Sequence, residues 1–185
     1  MEPSLLEKKK QKAKRIKPLL LEGLAYTVEN GCLDFLPDEL RKDYGLAETE
    51  NVSAHSYDGF AQQLIDAHSK GLILDCGCGK RPEYLPNVVN FEIVNYDTTD
   101  VLGIGEQLPF KDNSFDGVFS LNVLEHVKDP FQCAKEISRV LKPRGKLYCV
   151  VPFMSPYHDF PDHYYNMTKS GLANLFSPYL AIDKQ

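Results

Sequence analysis

Residues Leu72–Lys80 read LILDCGCGK: three apolar residues, an acid, then two glycines alternating with two cysteines. Three chemistries compete for this stretch: a metal grip on Cys76 and Cys78, the opening turn of a nucleotide site on Asp75, Gly77 and Gly79, or an ordinary turn. A structural zinc site takes four nitrogen or sulfur ligands, and no second C-x-x-C or nearby Cys/His pair follows, so no metal is expected. The dinucleotide fingerprint needs a glycine where Pro82 stands, and a P-loop needs Ser or Thr where Arg81 stands. What remains is a buried strand ending in Asp75 and a D-x-G-x-G turn beyond its carboxyl end, where open α/β sheets bind ligands. A purely structural turn would use the same glycines.

The neighbouring pattern supports an alternating α/β chain. After the strand at 72–75, NVVNFEIV marks a second strand around 88–94, FDGVFSLN a third at 115–122 and GKLYCVVPF a fourth at 145–153. Between the last two, Phe131, Ala134, Ile137, Val140 and Leu141 share one helical face, with Asp129 as cap and Pro130 at the first helical position. Strand, helix, strand with apolar strands implies a mostly parallel, Rossmann-like sheet covered by helices on both faces, joined by right-handed crossovers. Upstream, 4–17 is predicted helical up to Pro18, LLLEGLAYTVENG is predicted as a second helix ending at Gly31, and 57–69 as an amphipathic helix. Residues 1–56 therefore read as a helical extension and 57–185 as the main domain.

Composition bounds the function. The 185 residues are 43% hydrophobic and 25% charged, as in a soluble globular protein, and no apolar run approaches the roughly 20 residues of a bilayer span. Five cysteines, odd in number and scattered, read as reduced thiols, and the basic start lacks the apolar run of a secretory signal. The expected compartment is the cytoplasm. Residues 1–17 hold seven Lys/Arg against two Glu, leaving 14 Lys/Arg and 24 Asp/Glu for the remainder. A basic arm thus precedes an acidic body. The arm invites nucleic acid or an anionic membrane, or is simply a solvated helix face, while the acidic body and the lack of an aromatic-basic platform argue against nucleic acid.

LILDCGCGK resembles the first motif of the class I S-adenosylmethionine (SAM)-dependent methyltransferases. The segment GEQLPFKDNSFDGVFSLNVLEHVKDPFQCAKEISRVLKPRGKLYCVVPF, Gly105–Phe153, is similar to the small-molecule-type branch of that family, with L-P-F, S-F-D, L-E-H-V and R-V-L-K-P-x-G in order. The resemblance covers about residues 70–176. It implies SAM as cofactor, with Asp75, Cys76, Gly77 and Gly79 forming the turn against its methionine and ribose. Glu92, at the end of the second strand, would accept from the ribose hydroxyls, since a carboxylate can take both; Asp97 is the competing candidate. Many relatives carry an adenine-contacting acid four residues before the L-P-F leucine, where this chain has Ile104. Adenine contact is therefore assigned to the backbone near Gly105 and Glu106. Asn122, at the end of the third strand, lines the cofactor or caps its loop, and His126 is read as a helix-anchoring hydrogen-bonder. Arg144 replaces a glycine of the usual turn, with Gly145 expected to keep it.

Methyl transfer from a sulfonium needs positioning more than a nucleophilic residue. A base is required only where the acceptor must lose a proton early. PFMSPYHDFPDHYYNMT, beyond the fourth strand, offers His158 and His163 as general bases, against a metal reading of His158, Asp159, Asp162 and His163 and a structural one in which the loop merely packs. The acceptor is expected to be a small molecule or a cell-envelope precursor; a catalytically silent SAM-binding module is the alternative. The family's sheet ends in an antiparallel pair that would follow residue 176, and the sequence stops at SPYLAIDKQ. A truncated sequence, a completing partner and an abbreviated fold are the three readings, and an exposed edge invites homo-oligomerisation.

Overall fold

The computed structural model describes residues 3–46, 53–158 and 162–183. Helix α1 (Leu5–Ile16) starts at Ser4, whose hydroxyl accepts from the Glu7 N–H while the Glu7 carboxylate accepts from the Ser4 N–H. This reciprocal cap satisfies two otherwise free donors. A 3-10 turn, Lys17–Leu19, follows at Pro18.

The second helix expected before Gly31 does not form. Strands β1 (Thr27–Glu29) and β2 (Cys32–Asp34) make a hairpin there instead. Its turn is Asn30-Gly31, with φ of 47° and 79°, the two left-handed positions that a two-residue hairpin demands. That local signal outweighs the apolar run before it, and it gives Cys32 and Leu33 buried places in the sheet. The extension up to residue 56 is thus only partly helical, and contributes two strands to the main sheet.

Helix α2 (Asp38–Asp43) is followed by α3 (Gly59–Ala67), capped by Asp58, whose carboxylate accepts from the Ala61 N–H. Then come β3 (Ile73–Cys76), β4 (Val88–Glu92), β5 (Val101–Leu102), β6 (Phe115–Leu121), α4 (Pro130–Val140), β7 (Leu141–Val150) and α5 (Lys169–Phe176). Strand β5 was not foreseen, because two residues are too few to show a period. Asp129 and Thr168 cap α4 and α5 as expected.

The seven-stranded sheet runs β1-β2-β5-β4-β3-β6-β7 and is parallel except for the β1–β2 hairpin. From β3 the chain moves outward through β4 and β5, then crosses back to β6 and β7. The reversal falls between β3 and β6, which makes the carboxyl ends of these strands the crevice of the sheet. Successive residues point to opposite faces. Leu74 and Val89 pack with Ala134, Ile137 and Val140 of α4 and Phe176 of α5, whereas Ile73 and Val88 pack with Ala61 and Ile65 of α3. No strand follows β7 among the described residues, and its outer edge carries Lys142 and Lys146, charges that blunt edge-to-edge pairing. Gly145 leaves the room this turn needs, since a Cβ there would meet Leu141 Cδ1 at 2.7 Å and the Lys142 carbonyl oxygen at 2.9 Å, but it is not the left-handed residue. Arg144 itself takes φ 67°, at a cost of about 1–2 kcal/mol for a residue with a Cβ.

The basic arm is solvated along one side, with Lys8, Lys10, Lys14, Arg15 and Lys17 exposed, while Lys9 and Lys12 turn inward. Lys12 is buried: its ammonium donates to the Val88 carbonyl at 2.6 Å and to Asp100 at 2.8 Å, and lies 3.5 Å from the centre of the Tyr84 ring. Lys9 donates to the Asp97 carbonyl and Arg15 to those of Lys70, Gly71 and Pro86. Burial pulls the Lys12 pKa down, with Asp100 opposing. Removing one member of a buried pair strands the other charge. Lys12→Ala should therefore lower the unfolding free energy by about 3–5 kcal/mol, while Lys10→Ala, on the exposed side, should change it by less than about 0.5 kcal/mol. Urea denaturation of both variants checks this.

Candidate functional site

A cavity of about 410 Å³ opens at the carboxyl ends of β3, β4 and β6, within the size range of ligand pockets. Of the sequence-predicted residues it gathers Cys76, Gly77, Gly79, Glu92, Gly105, Glu106 and Asn122 into one wall, and Ile104 with them. Asp75 and Asp97 are not among its lining residues. Asp97 is exposed on the far side of the turn after β4.

Asp75 works beneath the floor. Its carboxylate has no exposed surface and accepts from the Tyr57 hydroxyl at 2.6 Å and from Arg81 Nε at 2.8 Å and Nη2 at 3.2 Å. Arg81 also donates to the His55 carbonyl and stacks 4.3 Å from the Tyr57 ring. Burial, then the Asp75 charge, pushes the Tyr57 pKa up, so the phenol stays a donor.

Glu92 ends β4. One carboxylate oxygen accepts from the Gly79 N–H at 2.7 Å and the other from Ile93 N–H at 2.8 Å, which fixes the carboxylate while leaving acceptor capacity toward the cavity. Burial raises its pKa, and these amides hold it down in part.

The glycines are needed for both backbone conformation and packing. Gly77 and Gly79 have φ of 79° and 59°. A Cβ at Gly77 would meet Val123 Cγ2 at 2.5 Å, and one at Gly79 would meet the Ser53 carbonyl oxygen at 2.4 Å. Both positions border the cavity, yet protein atoms rather than open space occupy the Cβ directions. Asn122 also takes a left-handed φ, 55°, with its N–H donating to the Val150 carbonyl. Asparagine tolerates that conformation better than most residues. Gly105 packs against Cys133, and the Glu106 carbonyl accepts from the Gln132 side chain at 3.2 Å, so α4 braces this part of the wall.

His158 and His163 sit on the loop after β7 and do not line this cavity; His126 does. The three rings cluster, with centres 4.9 Å apart for His126 and His158 and 4.3 Å for His158 and His163. His126 Nδ1 lies 2.6 Å from the Asp162 carbonyl oxygen and is assigned as the protonated nitrogen; the bond ties it to the loop after β7 rather than to a helix. Burial lowers its pKa. Asp162 is engaged by Tyr157 and the His163 N–H, and Asp159 lies outside the described residues. Sequence reasoning passed over Glu125. It is fully buried, neither carboxylate oxygen reaches a hydrogen-bond partner on another described residue, and burial pushes its pKa up to about 7. Arg81 was also missed as a structural partner, although its place two residues after the glycine turn put it within reach of Asp75.

Residues 74–149 match the family model of a methyltransferase domain. An uncharacterized protein of Methanocaldococcus jannaschii is 39% identical over 93 residues, covering 43% of this chain and 40% of that protein. A demethylmenaquinone methyltransferase of Corynebacterium glutamicum is 45% identical over 60 residues, covering 32% of this chain and 26% of that enzyme. The chain thus spans less than half the length of these curated relatives. The crystal structure of Burkholderia thailandensis 1,6-didemethyltoxoflavin-N1-methyltransferase, with bound 1,6-didemethyltoxoflavin and S-adenosylhomocysteine, superposes with a TM-score of 0.50 at 19% identity, covering 65% of each chain. That likeness is one of fold.

The two demands on Gly77, left-handed backbone and Val123 crowding, can be separated. Gly77→Ala should destabilise by about 2 kcal/mol or more, and adding Val123→Ala should relieve the crowding while the conformational cost of about 1–2 kcal/mol persists. Unfolding of the two single variants and the double variant reads the coupling directly.

Proposed function

We propose that this chain, whose residues 74–149 match a methyltransferase domain, is a class I SAM-dependent methyltransferase that transfers a methyl group from SAM to a small-molecule acceptor. One observation supports this reading above the others. The left-handed turn at Gly77–Gly79 and the Glu92 carboxylate, fixed by the amide of that same turn, border one cavity at the reversal point of the sheet. The residues present fit the cofactor. Glu92 would take the ribose hydroxyls, the backbone of Cys76 to Gly79 would border the methionine moiety, and Ile104 to Glu106 would pack the adenine.

When bound, SAM supplies a methyl group on an already activated sulfonium leaving group. The chain's own part is to hold the acceptor in line and exclude water. Asn122 and Val123, at the carboxyl end of β6, and Tyr44 and Tyr148 across the cavity, form the walls within which an acceptor would be oriented. Cell-envelope precursors remain within the acceptor class. Ile104 favours one second reading: it offers adenine no polar side chain, as a silent binding module would tolerate. The five cysteines are all free, in keeping with a cytoplasmic chain, and no helix among the described residues is long and apolar enough to cross a membrane. The outer edge of β7 is where a second copy would pair, tempered by its lysines.

Calorimetric titration with SAM and S-adenosylhomocysteine tests the cofactor, and a panel of small acceptors tests transfer. Wild type should bind both ligands. Glu92→Gln should weaken them roughly tenfold or more, since hydrogen bonds to a charged acceptor contribute about 1.5–3 kcal/mol. An analogue without ribose hydroxyls should bind wild type and variant alike. Absence of binding to wild type ends the reading; binding without turnover on any acceptor favours the silent module.

A further inference from the structure

We propose that Glu125, His126 and His158 form a binding site for a divalent first-row transition metal ion at the rim of the cavity. One ligand atom from each residue lies within 4.8 Å of the others. Glu125 is fully buried, and no other described residue donates to its carboxylate. Ionised in that place, a carboxylate is costly unless a positive charge meets it; it either holds a proton or meets a cation, and a metal ion would take the proton's place. His126 Nε2 stands 4.0 Å from Glu125 Oε1.

Hydrogen bonding selects which imidazoles can serve. His126 Nδ1 donates to the Asp162 carbonyl at 2.6 Å, so its Nε2 carries the free lone pair on the Glu125 side. His158 Nδ1 lies 3.0 Å from the Pro156 carbonyl and 3.2 Å from the Ser155 hydroxyl; with Nδ1–H donating to the carbonyl, which can only accept, the free lone pair falls on Nε2. Carbonyl acceptors of this kind fix the tautomer of metal-binding histidines. His163 is different: its Nδ1 accepts from the His158 N–H at 3.3 Å and its Nε2 donates to the Tyr165 carbonyl at 3.0 Å. Both of its nitrogens are occupied, and it is left out of the ligand set although its ring is 4.3 Å from that of His158.

Two imidazoles and one carboxylate suit zinc, cobalt or ferrous iron rather than magnesium or calcium, which take oxygen ligands. Bonds of about 2.0–2.2 Å require the ligand atoms to draw together by roughly 1 Å. His158, exposed on its loop, is the member that can move in. Three protein ligands leave a coordination position open. Because His126 lines the cavity beside Asn122 and Val123, an acceptor hydroxyl or thiol at that position would be acidified by the ion, without a protein base. This role rests on the methyl-transfer reading; the binding of the ion does not.

The test is titration of the metal-stripped, untagged full chain with Co²⁺, followed by visible absorption. Wild type should saturate at one equivalent, and Zn²⁺ should bleach the band. His158→Ala and Glu125→Gln should each weaken binding roughly tenfold or more, while His163→Ala should leave it unchanged. Circular dichroism checks that each variant folds, and His158→Ala, at an exposed position, keeps the test decisive should Glu125→Gln unfold. No saturable binding by wild type, unchanged binding by His158→Ala, or equal loss in His163→Ala overturns the proposal. A parallel SAM titration separates the two readings: Co²⁺ binding without SAM binding sinks the methyl-transfer reading alone, and the reverse sinks the metal site alone.

Discussion

The carboxylate of Asp75 has no contact with solvent, at the penultimate residue of the interior strand β3. A charge in that position persists only when donors meet both of its oxygens. Tyr57 and Arg81 provide them, and in doing so they bind the segment before α3 to the segment after the glycine turn. Arg81 extends the tie to the His55 carbonyl, and the Lys80 N–H donates to that of Ser53. The turn at 77–80 is therefore clamped from below and from one side, and Tyr57, with its ring 5.6 Å from that of Phe119, locks the clamp to β6. The wall of the cavity is rigid because a buried charge beneath it has been satisfied.

A second buried charge does the same at the other end of the sheet. Asp100 accepts from Lys12, from the Asn90 N–H and from the Tyr84 hydroxyl. It thereby fixes α1 against β4 and the start of β5. The cations of the arm that reach inward, Lys9, Lys12 and Arg15, all end on carbonyls or on Asp100. Of these only Lys12 is neutralised by an anion among the described residues, Asp100, so part of the arm's basic count serves to dock α1 on the sheet.

The sequence carried most of the central α/β order because apolar runs bounded by turn residues leave few alternatives. Leu72–Asp75, Phe115–Asn122 and the helix capped by Asp129 lie close to where periodicity put them. The hairpin at 27–34 was misread because LLLEGLAY suggests a helix until Asn30-Gly31 is weighed as a turn, and β5 was invisible at two residues. Within the site, Glu92 was legible as the acid closing an apolar strand. The partners of Asp75 were not, since nothing local says that Tyr57 and Arg81 converge on one carboxylate. Glu125 was hidden for a related reason: L-E-H-V reads as a turn opening, and only the fold shows that Tyr164 and Tyr165 donate to the Glu125 carbonyl and carry the histidine loop over its side chain.

The distribution of charge around the cavity bears on how such a site would treat its cofactor. Glu92, Glu106 and Asp58 border it, and the one Lys or Arg among its described lining residues, Arg81, is already paired with Asp75. With these carboxyls ionised the formal charge of the lining is negative. A sulfonium is a cation and its demethylated product is not, so a wall of this sign would favour the loaded cofactor over the spent one. A cation near Glu92 would also offset the burial that raises the pKa of that carboxyl. The acidic body, a poor surface for nucleic acid, is on the proposed reading a suitable environment for a positively charged methyl donor. On that reading the same acid that fixes the glycine turn would also help to discriminate substrate from product.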